Sequence, residues 1–372
     1  MYRIAISGSY GGMNLGDEAI LEAILKEIGL RSNVEVVIFS FNPDDTKKRH
    51  HVRAIPFRQM HKEQIQQELK KIDLFIFGGG GILFEGLAQD LLRDLIWAQE
   101  LNIPTMVYAV SVGPITSQDT KQLVADALNK VDIVTVRDSE SKKILNDLGV
   151  TKQIDVTQDP ALLLKPDRFT NAMLEKEGVK LDKPIIGFSV REPGSAAPDL
   201  DIAHYHSVLA NSADFMIERF NAQILFIPME LGINRDLQHA HAIISKMMHA
   251  QKTSVLKGEY SSSQLLGLCK HLSFAVGMRL HFLIFAGLQC VPFIPLSYAS
   301  KVEGFLQDLE MSAIPLIEWN TGKICAMIDR AWDTKKDIQK RLKEKIPIVK
   351  KKAQMTPVIF SQFLRTITPK KK

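Results

Sequence analysis

Short apolar segments that suit buried strands alternate along this chain with longer segments that suit helices. Such alternation predicts parallel strands joined by helical crossovers, because a tight turn joins only antiparallel neighbours. The first half of the chain therefore predicts a parallel, doubly wound sheet. Its predicted strands are 3–8, Val34–Phe39, Ile72–Phe77, Thr105–Val110, Ile133–Val136 and Ile154–Val156.

The 372 residues suffice for two domains of ordinary size. Residues 1–165 predict a first Rossmann-like domain, and the polar residues 166–184 predict a linker. A second alternating domain spans 185–320, and 321–372 predict a basic helical tail. The count and order of these elements match an α/β architecture of two Rossmann-like domains that face a cleft, as in GT-B glycosyltransferases.

Composition is that of a soluble globular protein, with 45% hydrophobic and 24% charged residues. No run of 18 apolar residues occurs, so we expect no membrane span. The first residues resemble a strand interrupted early by Gly8, which does not suit a signal peptide. The three cysteines are widely spaced and indicate neither a disulfide framework nor a metal site. We expect a cytoplasmic protein.

The charge of the chain is uneven. Residues 335–372 hold 13 Lys and Arg against Asp337 and Glu344, a balance of +11, whereas the whole chain carries +5 and the remainder therefore −6. A basic segment of this kind suits peripheral contact with an anionic membrane, at about 1 kcal/mol per basic residue. It also suits nucleic acid, or solubility alone. Because no basic run has interleaved aromatic residues, we expect no nucleic-acid partner.

The segment Gly8–Glu18 follows the first predicted strand and precedes a helix. Glycines let a backbone approach a ligand closely, and a helix N-terminus favours an anion. The segment is neither a Walker A loop nor a G-x-G-x-x-G motif. Asn14, Asp17 and Glu18 are its candidate binding residues. The alternative is that Asp17 and Glu18 only complement the helix dipole.

Four consecutive glycines, Gly78–Gly81, follow the third predicted strand. Such a run is costly in chain entropy and needs a physical reason. One interpretation is close packing of a strand against a helix. We favour the other, a backbone floor under a ligand with Gly79 and Gly80 at its centre, because the run lies at a strand's carboxyl end.

The stretch Leu272–Leu296 combines a short apolar strand, Gly277 and a helix. This order places Arg279 and His281 at the carboxyl end of a strand, where open α/β sheets bind ligands. Arg279 offers a planar fork of donors for carboxylate or phosphate, and His281 can give or take a proton near neutral pH. The alternative is an interior ion pair and a histidine held by a backbone carbonyl.

A series of short motifs runs through both predicted domains. They are Gly11–Leu21, Gly78–Gly81, Val136–Asp138 with Ser141, Asp159–Ala161, Gly277–His281, and Ser297-Tyr298 followed by Lys301. In this order and spacing they resemble the polysaccharide pyruvyl transferase family over about residues 3–310. Ala299-Ser300 stands where that family often has Asp-Pro. Within the family, the chain looks most like the cell-surface-anchoring branch, CsaB.

The resemblance implies transfer of pyruvate from phosphoenolpyruvate onto two hydroxyls of one sugar, which forms a cyclic ketal and releases phosphate. The acceptor it implies is a cell-envelope polysaccharide or a lipid-linked precursor, met at the inner face of the cytoplasmic membrane. Phosphoenolpyruvate is then the donor substrate, and no cofactor is required.

The donor carries a phosphate and a carboxylate, so its site needs several cations. Four basic residues fall just past predicted strand ends: Arg137, Arg191, Arg279 and Lys301. The enol ether becomes electrophilic when its methylene carbon is protonated, and His281 is the candidate acid. Asp236 or Glu230 is the candidate base for the sugar hydroxyl. His239, His241 and His249 give no ligand trio, so we expect helix-surface histidines and no metal.

Two other functions fit parts of the sequence. A glycosyltransferase that uses a nucleotide sugar would have the same fold, with Asp236, Arg279 and Lys301 on the sugar nucleotide. The Gly-Asp-Glu opening and the Arg-Leu-His motif argue against it. A binding module with a decayed site is disfavoured by the intact set of four cations and His281.

Overall fold

The computed structural model describes residues 1–29, 33–194, 200–232, 236–296, 300–313 and 318–370, without the side chains of Ser300 and Lys301. The chain divides into two compact units. Unit 1 comprises 1–164 and 349–372, and unit 2 comprises 165–348.

Unit 1 is built on seven strands joined by helices. In chain order these elements are β1 (Tyr2–Ser7), α1 (Leu15–Gly29), β2 (Val34–Ser40), α2 (Pro43–His50), β3 (Arg53–Pro56), α3 (Lys62–Leu69), β4 (Leu74–Leu83), α4 (Ala88–Glu100), β5 (Thr105–Val112), α5 (Gln118–Leu128), β6 (Ile133–Val136), α6 (Ser139–Asp147) and β7 (Ile154–Val156). The sheet is parallel throughout, in the order β3-β2-β1-β4-β5-β6-β7.

Unit 2 repeats this plan with a smaller sheet. Its elements are α7 (Asn171–Lys176), β8 (Ile185–Ser189), α8 (Ile202–Phe220), β9 (Gln223–Phe226), α9 (Asp236–Ile244), β10 (Thr253–Val255), α10 (Ser262–Cys269), β11 (Phe274–Gly277), α11 (Leu280–Leu288), β12 (Phe293–Pro295), α12 (Ser300–Asp308) and α13 (Thr321–Asp333). The five strands are parallel, in the order β10-β9-β8-β11-β12.

Both sheets reverse their direction of growth once. In unit 1 the chain builds β1, β2 and β3 to one side and then β4 to β7 to the other; in unit 2 the same reversal separates β8 from β11. All eight residues of β5 are buried, as expected for a strand covered by helices on both faces. The predicted α/β class with two Rossmann-like halves is confirmed. Ligands of such sheets bind at the carboxyl ends of the strands beside the reversal.

The segment predicted as a linker is part of unit 2. It contains the helix α7, which begins after the N-cap Thr170. Phe169, Leu174 and Val179 are buried, which gives this polar segment an apolar side to pack. Glu177 accepts a hydrogen bond from the backbone N–H of Lys257 at 2.7 Å. Three buried side chains among charged residues were too weak a pattern to predict this packing.

The predicted basic tail is divided between the two units. Helix α13 belongs to unit 2, where Ile324 and Ile328 are completely buried. The Trp332 ring stacks on Phe220, with 4.2 Å between ring centroids. The next helix, α14 (Lys335–Ala353), contains the division between units at residue 348. The described part of the predicted tail therefore consists largely of helices that belong to the two units.

The last helix, α15 (Met355–Thr366), packs on unit 1. Phe360 and Leu364 are 2% and 3% exposed. The hydroxyls of Thr356 and Thr157 are 2.8 Å apart. With Phe360 and Leu364 buried, the apolar side of α15 packs within unit 1.

Helix α4 carries a fully buried carboxyl group, Asp94. Burial raises its pKa from 3.8 to about 7, against the opposing effects of Arg93 and Ser7. Between about pH 4 and pH 7 the folded state therefore keeps a proton that the unfolded state has released. This contribution to stability is complete below about pH 4 and is lost as pH rises through about 7. Between about pH 5 and pH 8, we expect ionisation of Asp94 to lower the free energy of unfolding of unit 1 by about 3 kcal/mol.

Asp94→Asn should remove this loss, because the amide stays neutral. Urea unfolding at about pH 5 and pH 8 measures it, with the exposed Asp90→Asn of the same helix as control. An equal pH dependence in wild type and Asp94→Asn would show that Asp94 does not set it.

Candidate active site

The carboxyl edge of the sheet in unit 2 brings three of the predicted residues together. Arg191 follows β8, Glu230 follows β9 and Arg279 follows β11. Strands β8 and β11 pair in parallel with Ser189 opposite Gly277, and the backbone N–H of Met278 donates to the Ser189 carbonyl at 2.9 Å. The residues after these strands therefore emerge side by side, at the point where the sheet reverses.

Arg279 is the N-cap residue of α11 and is 8% exposed. Its Nε donates to the two carboxylate oxygens of Asp236 at 3.1 and 2.9 Å. Its Nη2 donates to Glu230 Oε2 at 2.5 Å and also to Asp236. This fork of charge-assisted bonds fixes the guanidinium in one orientation.

Asp236, 1% exposed, is also bonded to the backbone. It accepts from the N–H groups of Met229 and Glu230 at 2.9 and 3.1 Å. Protonation would weaken these bonds together with those to Arg279, so the arrangement does not favour Asp236 as the base that sequence suggested. The contacts make it the group that positions Arg279, and Glu230 shares that task.

Tyr205 on α8 holds the loop that carries Arg191. Its hydroxyl donates to the Arg191 carbonyl at 2.5 Å and lies 3.0 Å from the sulfur of Met278. Burial is the main reason why the pKa of Tyr205 is raised well above its ordinary value, with Asp236 adding to it. Arg191 Nε donates to the Glu192 carbonyl at 2.8 Å.

His239, predicted as a helix-surface histidine, belongs to this cluster. It is half-buried, and its Nδ1 lies 2.9 Å from Nε2 of His206 on α8. Charges of Glu192, Asp236, Arg191 and Arg279 act on His239. The signal in the sequence was spacing, since His239 lies three residues after Asp236 and so on the same face of α9.

The remaining predicted residues of the second half are His281 and Lys301. His281 is in the first turn of α11, two residues after Arg279, and is half-buried. Helix α12 begins at Ser300, but the Lys301 side chain lies outside the described part of the chain, as do Ser297, Tyr298 and Ala299.

Unit 1 has a second group of predicted residues at its own carboxyl edge. Arg137 follows β6, is 4% exposed, and donates from Nη1 to Asp159 at 2.8 Å. Its buried Nη2 has no hydrogen-bond partner among the residues that the structure describes. A Cβ placed on Gly81 would be 3.6 Å from this Nη2, and one on Gly80 would be 3.5 Å from Asp17 Oδ1. Arg137 thus offers a donor at the edge that Asp17 shares.

Close packing, the alternative to a backbone floor under a ligand, explains part of the glycine run. A Cβ on Gly79 would lie 2.9 Å from the Tyr108 carbonyl and 3.1 Å from the Ile20 side chain. Gly78 and Gly80 have φ of +123° and +87°, which L side chains rarely adopt. Strand β4 continues through the run to Leu83. Contact with β5 and α1 therefore requires glycine at Gly79.

Glu18, one of the predicted binding residues, lies in the interior of unit 1. It is fully buried, and its two oxygens contact the backbone N–H of Gly11 at 2.8 Å and Nε2 of His50 at 2.6 Å. Glu18 therefore anchors the glycine-rich loop to α2. Asn14 Oδ1 accepts from the N–H of Gly16 at 3.0 Å and so shapes the same loop. Asp17 is half-buried beside Gly80.

The sequence model of polysaccharide pyruvyl transferases matches residues 14–300. The chain belongs to the polysaccharide pyruvyl transferase family. A curated relative of this chain, the amylovoran biosynthesis protein AmsJ of Erwinia amylovora, is 21% identical over 392 residues, which is 91% of this chain and 94% of AmsJ. The match supports an enzyme of polysaccharide biosynthesis.

Solved structures share the fold at low identity. The UDP complex of MnaA from S. aureus has a TM-score of 0.67 at 10% identity and covers 93% of this chain and 91% of its own. Anabaena HepE with UDP and glucose has a TM-score of 0.66 at 11% identity and covers 98% of this chain and all of its own. These similarities extend over both Rossmann-like units.

Within the described ranges, no three His, Cys, Asp or Glu side chains are grouped so as to hold a metal ion. Among the same residues, no helix combines the length and apolarity needed to cross a membrane.

Removal of Asp236 should unfold this edge of unit 2. Asp236→Ala leaves the buried Arg279 guanidinium without its main partner, so we expect a loss of about 3–5 kcal/mol in the free energy of unfolding. Urea unfolding measures it. The double variant Asp236→Ala with Arg279→Leu should recover part of that loss, because no uncompensated charge remains. If Asp236→Ala changes the free energy of unfolding by less than about 1 kcal/mol, Asp236 is not the main partner of the buried Arg279.

Proposed function

We propose that this chain transfers pyruvate from phosphoenolpyruvate to a sugar of a cell-envelope polysaccharide or of its lipid-linked precursor. The observation that carries the proposal is the start of α11, where Arg279 is fixed by Asp236 and Glu230 and His281 follows in the first turn. A fixed cation at a helix N-terminus suits an anionic donor, and a histidine beside it can supply a proton.

The donor's anionic groups are assigned to basic residues. Arg279, Arg191 and Lys301 of unit 2 are proposed to bind the phosphate and carboxylate of phosphoenolpyruvate. At the sheet edge of unit 1, Arg137 is a separate candidate contact for an anionic substrate group, since its buried Nη2 has no hydrogen-bond partner among the described residues. Guanidinium groups suit both anions because their planar donors bind two oxygens at once.

The proposed reaction needs no cofactor. His281 protonates the methylene carbon, the C2=C3 double bond is consumed, and a sugar hydroxyl loses its proton as its oxygen bonds to C2. Phosphate then departs with the oxygen that joined it to C2, and a second hydroxyl of the same sugar takes its place while its proton passes to the medium. One phosphoenolpyruvate and one diol thus give one ketal and one phosphate.

The acceptor is proposed to be lipid-linked, as in the CsaB branch that the motifs resemble. The similarity to AmsJ, an amylovoran biosynthesis protein, supports a role in a polysaccharide pathway. Assignment to that branch rests on the motif resemblance.

Phosphoenolpyruvate should stabilise the purified protein. At 100 times its dissociation constant a ligand adds about 2.7 kcal/mol, or roughly 5–10 °C in melting temperature. His281→Ala should keep this stabilisation but lose roughly 10²–10⁴-fold in phosphate release with acceptor present, because only the proton donor is removed. Thermal melts and a phosphate assay measure the two effects.

The exposed His241→Ala serves as the control and should retain both. Stabilisation by UDP-sugars but not by phosphoenolpyruvate would favour the nucleotide-sugar glycosyltransferase. Full turnover by His281→Ala would move the proton donor elsewhere.

Peripheral contact with an anionic leaflet is proposed for the end of α14 and the start of α15. Lys351 and Lys352 are exposed there, beside Met355 and Val358, which are 44% and 54% exposed. Basic side chains beside exposed apolar ones suit a lipid surface. Such an interaction weakens with salt, since charges are screened beyond about 8 Å at physiological ionic strength.

Replacement of Lys350, Lys351 and Lys352 by Gln should therefore reduce binding to vesicles that contain phosphatidylglycerol, by about 1 kcal/mol per lysine. A sedimentation assay at low and high salt measures it. The control removes the same charge from the exposed Lys130, Lys143 and Lys152. Equal vesicle binding by the two triple variants would contradict contact through this surface.

A further inference from the structure

His206 and His239 form a pair that has no role in the proposed reaction. His206 is 8% exposed on α8, and its Nε2 lies 2.9 Å from Nδ1 of His239 in the first turn of α9. Their rings are 5.2 Å apart, and Tyr205 packs against both. A paired, partly buried imidazole beside a fixed arginine is an arrangement that can handle protons.

The reaction also lacks a base for the attacking hydroxyl. Asp236 accepts hydrogen bonds from Arg279 and from two backbone N–H groups, and Glu230 pairs with the same guanidinium. A proton placed on either carboxylate would weaken the charge pairing that holds Arg279. The imidazole of His239 lies on the same face of α9 as Asp236. It can accept a proton without weakening the ion pair that holds Arg279.

We propose that His239 is the base that takes the proton from the attacking acceptor hydroxyl, held in position by its hydrogen bond to His206. In this arrangement Nδ1–H of His239 donates to Nε2 of His206, which leaves Nε2 of His239 unprotonated. As the sugar oxygen bonds to C2 of the donor, its O–H bond breaks and the proton moves to Nε2. The imidazolium then returns the proton to the medium.

The charges around His239 suit this cycle. Burial lowers its pKa below the ordinary histidine value, Arg191 and Arg279 lower it further, and Glu192 and Asp236 act in the opposite direction. The ring is therefore neutral near pH 7 and ready to accept a proton, while the two carboxylates stabilise the imidazolium that forms. Burial also lowers the pKa of His206, with His239 and Lys246 adding to it, so the buried partner stays neutral.

Packing is the competing explanation for the pair. Tyr205 lies between the histidines and Trp319, with 6.1 Å between the Tyr205 and Trp319 ring centroids. If the histidines serve this aromatic cluster alone, their replacement changes stability but leaves the pH dependence of turnover as it was. If His239 is the base, its replacement changes the pH dependence of turnover.

The inference rests on the proposed function only in requiring a nucleophilic acceptor hydroxyl, and a glycosyl transfer would need the same base. We therefore expect His239→Asn to lose roughly 10²–10⁴-fold in kcat with whichever donor the wild type uses. The KM for the donor should change little. In wild type, kcat/KM should fall as pH drops below the ordinary histidine range, and that acidic limb should vanish in the variant.

Matched variants separate position from chemistry. His206→Gln keeps an acceptor for the Nδ1–H of His239 and should retain most activity, whereas His206→Ala should lose much of it. The exposed His241→Asn on the same helix should behave as wild type. A wild-type pH profile in His239→Asn, together with near-normal kcat, would overturn the proposal.

A substrate-free measurement keeps the proposal independent of donor identity. Long-range ¹H–¹⁵N correlation spectra of protein labelled at histidine, assigned with His239→Asn, report which ring nitrogen carries the proton. We expect the Nδ1–H form of His239 near pH 7, with protonation only below the ordinary histidine range. An Nε2–H form, or an imidazolium at neutral pH, would overturn it, whatever the donor proves to be.

Discussion

The ion pair between Arg279 and Asp236 is the interaction on which the candidate site depends. A guanidinium that is 8% exposed needs a compensating charge, and Asp236, 1% exposed, supplies it. The same carboxylate binds two backbone N–H groups after β9, so one side chain joins the start of α9 to the start of α11. The positions of Glu230, His239 and His281 follow from this junction.

The sequence predicted the elements that carry strong local signals. Apolar runs predicted buried strands such as β5. An apolar run also placed Arg191 at a strand end, and an apolar run followed by Gly277 and a helix did the same for Arg279. The short edge strands Arg53–Pro56 and Thr253–Val255 were not predicted, because they are too brief to show a hydrophobic periodicity. The predicted linker is part of unit 2 and the predicted tail is divided between the units. The sequence did not show this, because each helix of these segments buries only a few apolar side chains among many charged ones.

Pairings across the chain were the part that sequence could not give. Arg279 and Asp236 are 43 residues apart, and Glu18 and His50 are 32 apart. The sequence allowed an interior ion pair for Arg279, but it did not identify Asp236 as the partner. Asp236 and Glu18, both predicted as site residues, are bonded to partners that the sequence did not identify, and His239, predicted as a helix-surface residue, lies beside His206 and the Arg279 junction. The fold is shared with UDP-binding neighbours, so only such side chains can separate one chemistry from another.

The origin of the atoms in the product tests the central claim most directly. The protein is incubated in D₂O with phosphoenolpyruvate and a lipid-linked cell-wall disaccharide, and the glycan is analysed by mass spectrometry and NMR. Pyruvyl transfer predicts a glycan that has gained one pyruvate less one water, with a quaternary ketal carbon and one solvent deuterium in its methyl group, and release of an equal amount of phosphate. A glycan that gains a sugar from a UDP-sugar, and nothing from phosphoenolpyruvate, would contradict the account.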